Sequence, residues 1–164
     1  MSTDNYRIPE GAGIGHIHLK VSDIQRSLDF YCGVLGFELM QMYGNDAAFV
    51  SAGGYHHHIG LNTWLSKNKP AASPYAPGLF HAAILYPTRK DLAEIYRRLL
   101  DVGYPLTGAS DHGVSEALYL NDPDRNGLEL YRDRKSSEWP RNSDGSLRMV
   151  TEELDLEGLL KELD

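Results

Sequence analysis

Hydrophobic and polar positions alternate strictly from Gly15 onward. In His16-Ile17-His18-Leu19-Lys20-Val21, Ile17, Leu19 and Val21 share one side and His16, His18 and Lys20 the other, which predicts a strand with one apolar face. Ser22 or Asp23 then supplies an N-cap. Ile24, Leu28, Tyr31 and Leu35 recur at helical spacing until Gly36, so a helix is expected to cover that apolar face. Residues 37–43, 47–52 and 57–64 read as three further strands, punctuated by Gly44-Asn45-Asp46 and Gly53-Gly54.

Residues 66–78 turn to Lys, Asn, Ser and Pro, with prolines at 70, 74 and 77, which marks a linker. The pattern then starts again. Residues 80–86 form a strand pattern, Thr88-Arg89-Lys90-Asp91 a capping box, and Leu92, Ile95, Leu99 and Val102 carry a helix to Gly103. His16 and His81 hold the same place in the two copies, one residue type repeated at a fixed spacing. The second copy closes on a hairpin: residues 117–120 alternate, residues 121–127 are dense in turn residues, and residues 128–131 alternate again. Each copy is too small to bury its own sheet, so the two are expected to pair.

A polar, Gly-containing leader precedes the first copy. After the second, a polar loop leads to Leu154, Leu156, Leu159, Leu160 and Leu163, which predict a short amphipathic helix. Together with Trp139, this tail is expected to pack on the body of the protein, over the mouth of the sheet or against a neighbouring subunit.

With 41% hydrophobic and 24% charged residues in 164, the chain has the composition of one folded domain with a real core. A net charge of −7 without any Lys/Arg cluster argues against nucleic acid or an anionic membrane as partner. No apolar run reaches the roughly 18 residues a membrane helix needs, and no signal-peptide pattern is present, so a cytoplasmic protein is expected. Cys32, the single cysteine, falls inside a helical pattern and reads as a buried small hydrophobe in a reducing compartment.

The chemistry rests on three positions. His16 and His81 both face away from the helices, and alternation places Glu129 opposite Leu128 and Leu130, facing the same way. Two histidines and one carboxylate on one side of an ion form the facial triad of non-haem iron(II) oxygenases, which leaves positions open for other ligands. The alternative is a buried polar network. On this reading the fold is α+β: two paired β-α-β-β-β modules, residues 14–65 and 79–134, form one curved mixed sheet around a metal-binding cavity, helices outside, with residues 135–164 as a tail.

Gly15-His16-Ile17-His18-Leu19-Lys20-Val21-Ser22-Asp23, then Phe30-Tyr31 and Leu35-Gly36-Phe37, resemble the opening of the vicinal oxygen chelate superfamily of glyoxalases, extradiol dioxygenases and resistance proteins. His56-His57-His58, Leu79-Phe80-His81, Ser110-Asp111-His112-Gly113 and Asp122-Pro123-Asp124 through Gly127-Leu128-Glu129 are most similar to the catechol 2,3-dioxygenase-like members. The resemblance implies His16, His81 and Glu129 as ligands of Fe(II) or Mn(II). It also implies His58 as acid-base catalyst, with Tyr119 and His112 bonding substrate and oxygen. Alternation independently favours His58 over His57, since His58 shares a face with Gly60, Asn62 and Trp64. The implied reaction is extradiol cleavage of a small aromatic diol by dioxygen, in a homodimer. A glyoxalase-like isomerase or transferase, or a non-catalytic binding protein, are the alternatives. Asn62 stands where a fourth, acidic ligand would serve the glyoxalases, and Arg125 where relatives often have Gly.

Overall fold

The computed structural model describes residues 6–164; the first five residues of the leader lie outside the described residues. The first module runs β1 (Ile17–Lys20), α1 (Ile24–Leu28), β2 (Glu38–Tyr43), β3 (Ala47–Ser51) and β4 (Ile59–Asn62). Asp23 caps α1 by accepting from the Arg26 N–H. The expected helix is two-part, since α1 widens into a π-helical segment, Asp29–Val34, that seats Phe30 and Tyr31 in the core. The second module repeats the order with β5 (Ala82–Leu85), α2 (Arg89–Asp101), β6 (Gly108–Asp111), β7 (Ser115–Asn121) and β8 (Gly127–Asp133). Thr88 and Asp91 close the capping box at the start of α2 as the sequence requires.

The strands form two mixed sheets, β1-β4-β3-β2 and β5-β8-β7-β6-β9, where β9 is Glu152–Glu153. Each module thus keeps its own sheet where one continuous sheet was expected. In both, the first strand pairs in parallel with the last, β1 with β4 and β5 with β8, because the helix crosses over between them. The modules meet through side chains outside the ladders. Tyr31 donates to Asp122 Oδ2 at 3.0 Å, Arg26 pairs with Asp124, and Arg98 bonds the carbonyls of Gly33 and Val34. Burial, aided by the Asp122 carboxylate, drives the Tyr31 hydroxyl far above its usual range, so it stays a donor.

Two glycines are required by close approach. A Cβ at Gly127 would lie 2.2 Å from the Phe80 carbonyl oxygen, so β8 starts hard against the entry to β5. A Cβ at Gly60 would lie 2.9 Å from the His18 ring, which rests over it.

The tail extends the second sheet and covers its far side. β9 pairs with Ser110 and Asp111 of β6, and α3 (Leu156–Leu160) packs on α2 with Leu154 and Leu159 buried in the core. The short amphipathic helix expected here is α3, continued by a 3-10 turn over Lys161–Leu163. Trp139 donates its indole N–H to the Arg134 carbonyl at 2.9 Å. Cys32 is half buried, and burial raises its thiol above the ordinary range. No helix among the described residues is long and apolar enough to cross a membrane.

Arg134 grips Asp111 with two hydrogen bonds, at 2.5 and 2.7 Å, next to the tail. That guanidinium, with the Gly113 N–H, holds the Asp111 carboxyl below its usual value. A depressed folded value contributes stability above the unfolded value, about pH 4, and loses it as pH falls through the folded one. Urea midpoints should therefore drop more steeply below about pH 4 for the wild type than for Asp111→Asn. Parallel slopes would remove Asp111 from the account.

Candidate active site

Register builds the site. Tyr119 on β7 lies directly opposite Glu129 on β8, and Glu129 is paired with Ala83 on β5, two residues after His81. Directly opposed residues share a face with Cβ atoms about 5 Å apart. The side chains complete the approach: His81 Nε2 lies 3.0 Å from Glu129 Oε2, and the Tyr119 hydroxyl 3.1 Å from Glu129 Oε1. His112, in the β6–β7 turn, adds a fourth member, with Nε2 2.6 Å from the Tyr119 hydroxyl. Glu129, Tyr119 and His112 are thus linked through the Tyr119 hydroxyl, and His81 Nε2 stands in contact with the same carboxylate. Four of the six residues expected in the site are gathered.

The protons along this chain can be assigned in part. His112 Nδ1 lies 2.8 Å from the Val150 carbonyl oxygen, which only accepts, so Nδ1 carries a hydrogen. In the neutral ring Nε2 is then bare and accepts a hydrogen bond from the Tyr119 hydroxyl; in a doubly protonated ring Nε2 donates and Tyr119 donates to Glu129. Desolvation, and then the adjacent Glu129 carboxylate, push the Tyr119 hydroxyl up to about 12, so it is a donor at neutral pH. Nothing in the sequence pattern pointed to Val150. Its role comes from the tail folding back along β6, with the Val150 N–H also bonded to the His112 carbonyl at 3.1 Å.

His16 and His58 lie elsewhere, in an aromatic and histidine cluster on the first module. The His16 ring packs on His57 with centroids 4.4 Å apart, and His57 contacts His56 and Phe49. His58 immediately precedes β4, which begins at Ile59, with its N–H on the Val50 carbonyl and its carbonyl on the Ile17 N–H. Its Nδ1 takes the Ser51 hydroxyl at 2.9 Å and the Ala52 N–H at 3.3 Å. Desolvation and the nearby His16 lower the His18 imidazole below its usual value.

The His81 to Glu129 separation tests the site for a metal. Two adjacent ligands about 2.1 Å from one ion stand about 3 Å apart, and these two atoms are 3.0 Å apart. His81 Nδ1 is also buried without a partner among the described residues. His81 and Glu129 therefore fit as a ligand pair. His16 does not join them, and no group of three His, Cys, Asp or Glu side chains near enough to hold one ion occurs among the described residues.

Two repeated β-α-β-β-β modules, with a His–Glu pair and a Tyr–His pair on the second, make a scaffold of the glyoxalase kind. The model of the Glyoxalase/Bleomycin resistance protein/Dioxygenase superfamily matches residues 13–130, and the chain belongs to that superfamily. It is 40% identical over 158 residues to catechol-2,3-dioxygenase of Bacillus subtilis strain 168, a match covering 94% of this chain and 53% of the relative. It is 32% identical over 121 residues to biphenyl-2,3-diol 1,2-dioxygenase 3 of Rhodococcus globerulus, covering 73% of this chain and 63% of that one. The chain thus spans between about half and two thirds of the length of these relatives. Among solved structures, a glyoxalase/dioxygenase from Nostoc punctiforme superposes with a TM-score of 0.63 at 18% identity, covering 82% of this chain and all of that one. A glyoxalase-superfamily domain from Frankia sp. EAN1pec gives 0.63 at 22% identity, covering 76% and 94%. These likenesses support the fold.

Proposed function

We propose that the protein is an extradiol dioxygenase, cleaving the ring of a catechol-type diol beside its hydroxyls and placing both atoms of dioxygen in the product. The convergence of His81, Tyr119 and, through Tyr119, His112 on Glu129 carries this reading, supported by the two dioxygenase relatives. His81 and Glu129 would hold the metal, Fe(II) or Mn(II), with His16 as the proposed third ligand. When bound, the ion supplies a redox-active Lewis acid with open positions.

The remaining chemistry belongs to the chain. Tyr119, kept protonated, offers a hydrogen bond to an oxygen on its side of Glu129. His112 Nε2 is the adjacent proton acceptor, held in that tautomer by the Val150 carbonyl on Nδ1. His112, joined to Glu129 through Tyr119, is the proposed group that takes the diol proton, while the His58 ring lies with Ser51 and Ala52 on the first module.

The test is anaerobic Fe(II) or Mn(II) loading followed by air and a panel of catechols, read by the absorbance of ring-opened product. Turnover of any catechol supports the proposal, and none on the whole panel overturns it. The dispersed third ligand favours one rival, a metal-free small-molecule binder. Protein that binds catechols tightly while retaining no metal after dialysis would decide for it. The proposed homodimer is supported by β2, an edge strand exposed on both faces with Leu39, Met42 and Tyr43 outward.

A further inference from the structure

A cavity of about 860 Å³ lies beside the Tyr–His pair, walled by β1, the proline-rich linker, β7 and the turn before β8, with His81 and Tyr119 on its surface. That is room for a substituted aromatic ring. Its charged lining runs against the charge of the whole chain. Lys20, Lys69 and Arg125 line it, and the one acidic residue there, Asp124, is already taken by Arg26 and the Ser22 N–H. The side chains of Lys20, Lys69 and Arg125 have no hydrogen bond or ion pair among the described residues, in a protein carrying −7 overall. A concave wall of one sign concentrates ions of the other.

Arg125 adds an independent observation. Its φ is +65°, and only Asn68 among the described non-glycine residues shares a positive value. Asn tolerates the left-handed region through its short side chain, whereas a long side chain there is strained. Glycine would fit the turn without strain. A cation is thus held on the cavity rim at a conformational cost, and strain of this kind collects at functional positions.

We propose that the cavity takes an anionic aromatic diol, a catechol bearing a carboxylate, with Arg125 as the residue that receives the carboxylate. The forked guanidinium suits that planar group, and Lys20 and Lys69 supply the surrounding field. The inference rests on the dioxygenase reading for the diol, and on the lining for the charge.

Binding to the metal-free full chain tests it first, by titration calorimetry with 3,4-dihydroxybenzoate and with 4-methylcatechol, a neutral diol of similar size. The acid should bind about tenfold tighter, as a charge-assisted hydrogen bond of about 1.5 kcal/mol implies, and the advantage should shrink with added salt. In Arg125→Gly the preference should fall about tenfold while the melting temperature stays equal or rises, since glycine relieves the strained turn. Lys90→Ala, on α2 away from the cavity, should leave the preference unchanged. Equal or tighter binding of the neutral diol, an unchanged preference in Arg125→Gly, or an equal loss in Lys90→Ala overturns the proposal. The same ratio is then read as kcat/KM on Fe(II)-loaded protein. If neither diol is opened, the dioxygenase reading falls, and the calorimetric preference still decides the charge of the ligand.

Discussion

Glu129→Ala is expected to abolish ring opening, lowering kcat/KM for any catechol that the wild type opens by on the order of a thousandfold or more. The metal retained after dialysis should fall with it. The reason lies in what converges on this carboxylate: Oε2 faces His81 Nε2 at 3.0 Å and Oε1 faces the Tyr119 hydroxyl at 3.1 Å, with the side chain 13% exposed. Truncation removes one of the two proposed ligands that the fold brings together, and frees Tyr119 and His81 to reorient. A metal-centred contribution of several kcal/mol, at about 1.4 kcal/mol per tenfold, gives the stated loss. The fold should survive, because Glu129 lies on the polar face of β8 while Leu128 and Leu130 hold the core. Circular dichroism unchanged, with metal and turnover both lost, supports the role. Full metal retention with activity within tenfold would remove Glu129 from the ligand set. His16→Ala separates the remaining question: if His16 completes the site it should show the same paired loss, and retained metal would leave the pair of His81 and Glu129 to act without it.

What could be read from the sequence divides along physical lines. The α+β class, the module repeat and the approach of Glu129 to Tyr119 and His81 follow from period-two alternation and a hairpin turn, which are local and strongly specified. His58 extends the strand pairing one residue before β4, bonding Val50 and Ile17 through its backbone, but its ring turns to Ser51 and Ala52, neighbours that alternation does not name. His16 stands one residue before β1 and packs on His57. Whether it reaches Glu129 depends on how two separate sheets sit against each other, and residue pattern does not encode that distance. Val150 was invisible for a related reason, since its carbonyl acts through the return of a polar tail. The buried charge at Glu116 is legible from the same register. Once the hairpin register sets Tyr119 against Glu129, Glu116 falls opposite Arg132, with Arg134 two residues further on.

That charge makes Glu116→Ala the substitution expected to cost most in stability, about 3 to 5 kcal/mol. Glu116 is 4% exposed and is held by three guanidinium groups: Arg89 Nε at 2.9 Å, Arg132 Nε at 2.8 Å and Arg134 Nη2 at 3.3 Å. These tie β7 to β8 and to the start of α2, and Arg89 continues to the Gly158 carbonyl and Glu162 in the tail. An ion pair in solvent contributes little, but here the carboxylate is fully withdrawn from water. Its removal leaves three partly buried cations facing one another without their common anion, and the penalty comes from that exposed repulsion more than from the lost attraction. In a domain of this size each kcal/mol lowers the melting temperature by roughly 2–4 °C, so a fall of about 10 °C is expected. Glu116→Gln should cost less, since the amide keeps an acceptor for one arginine while losing the charge. Because the tail hangs on Arg89, proteolysis should cut near residues 140–150 before the body of the protein in Glu116→Ala. A melting temperature within 2 °C of wild type in the alanine variant would mean that the three arginines find solvent or other partners, and that the cluster is not what fastens the tail to the second module.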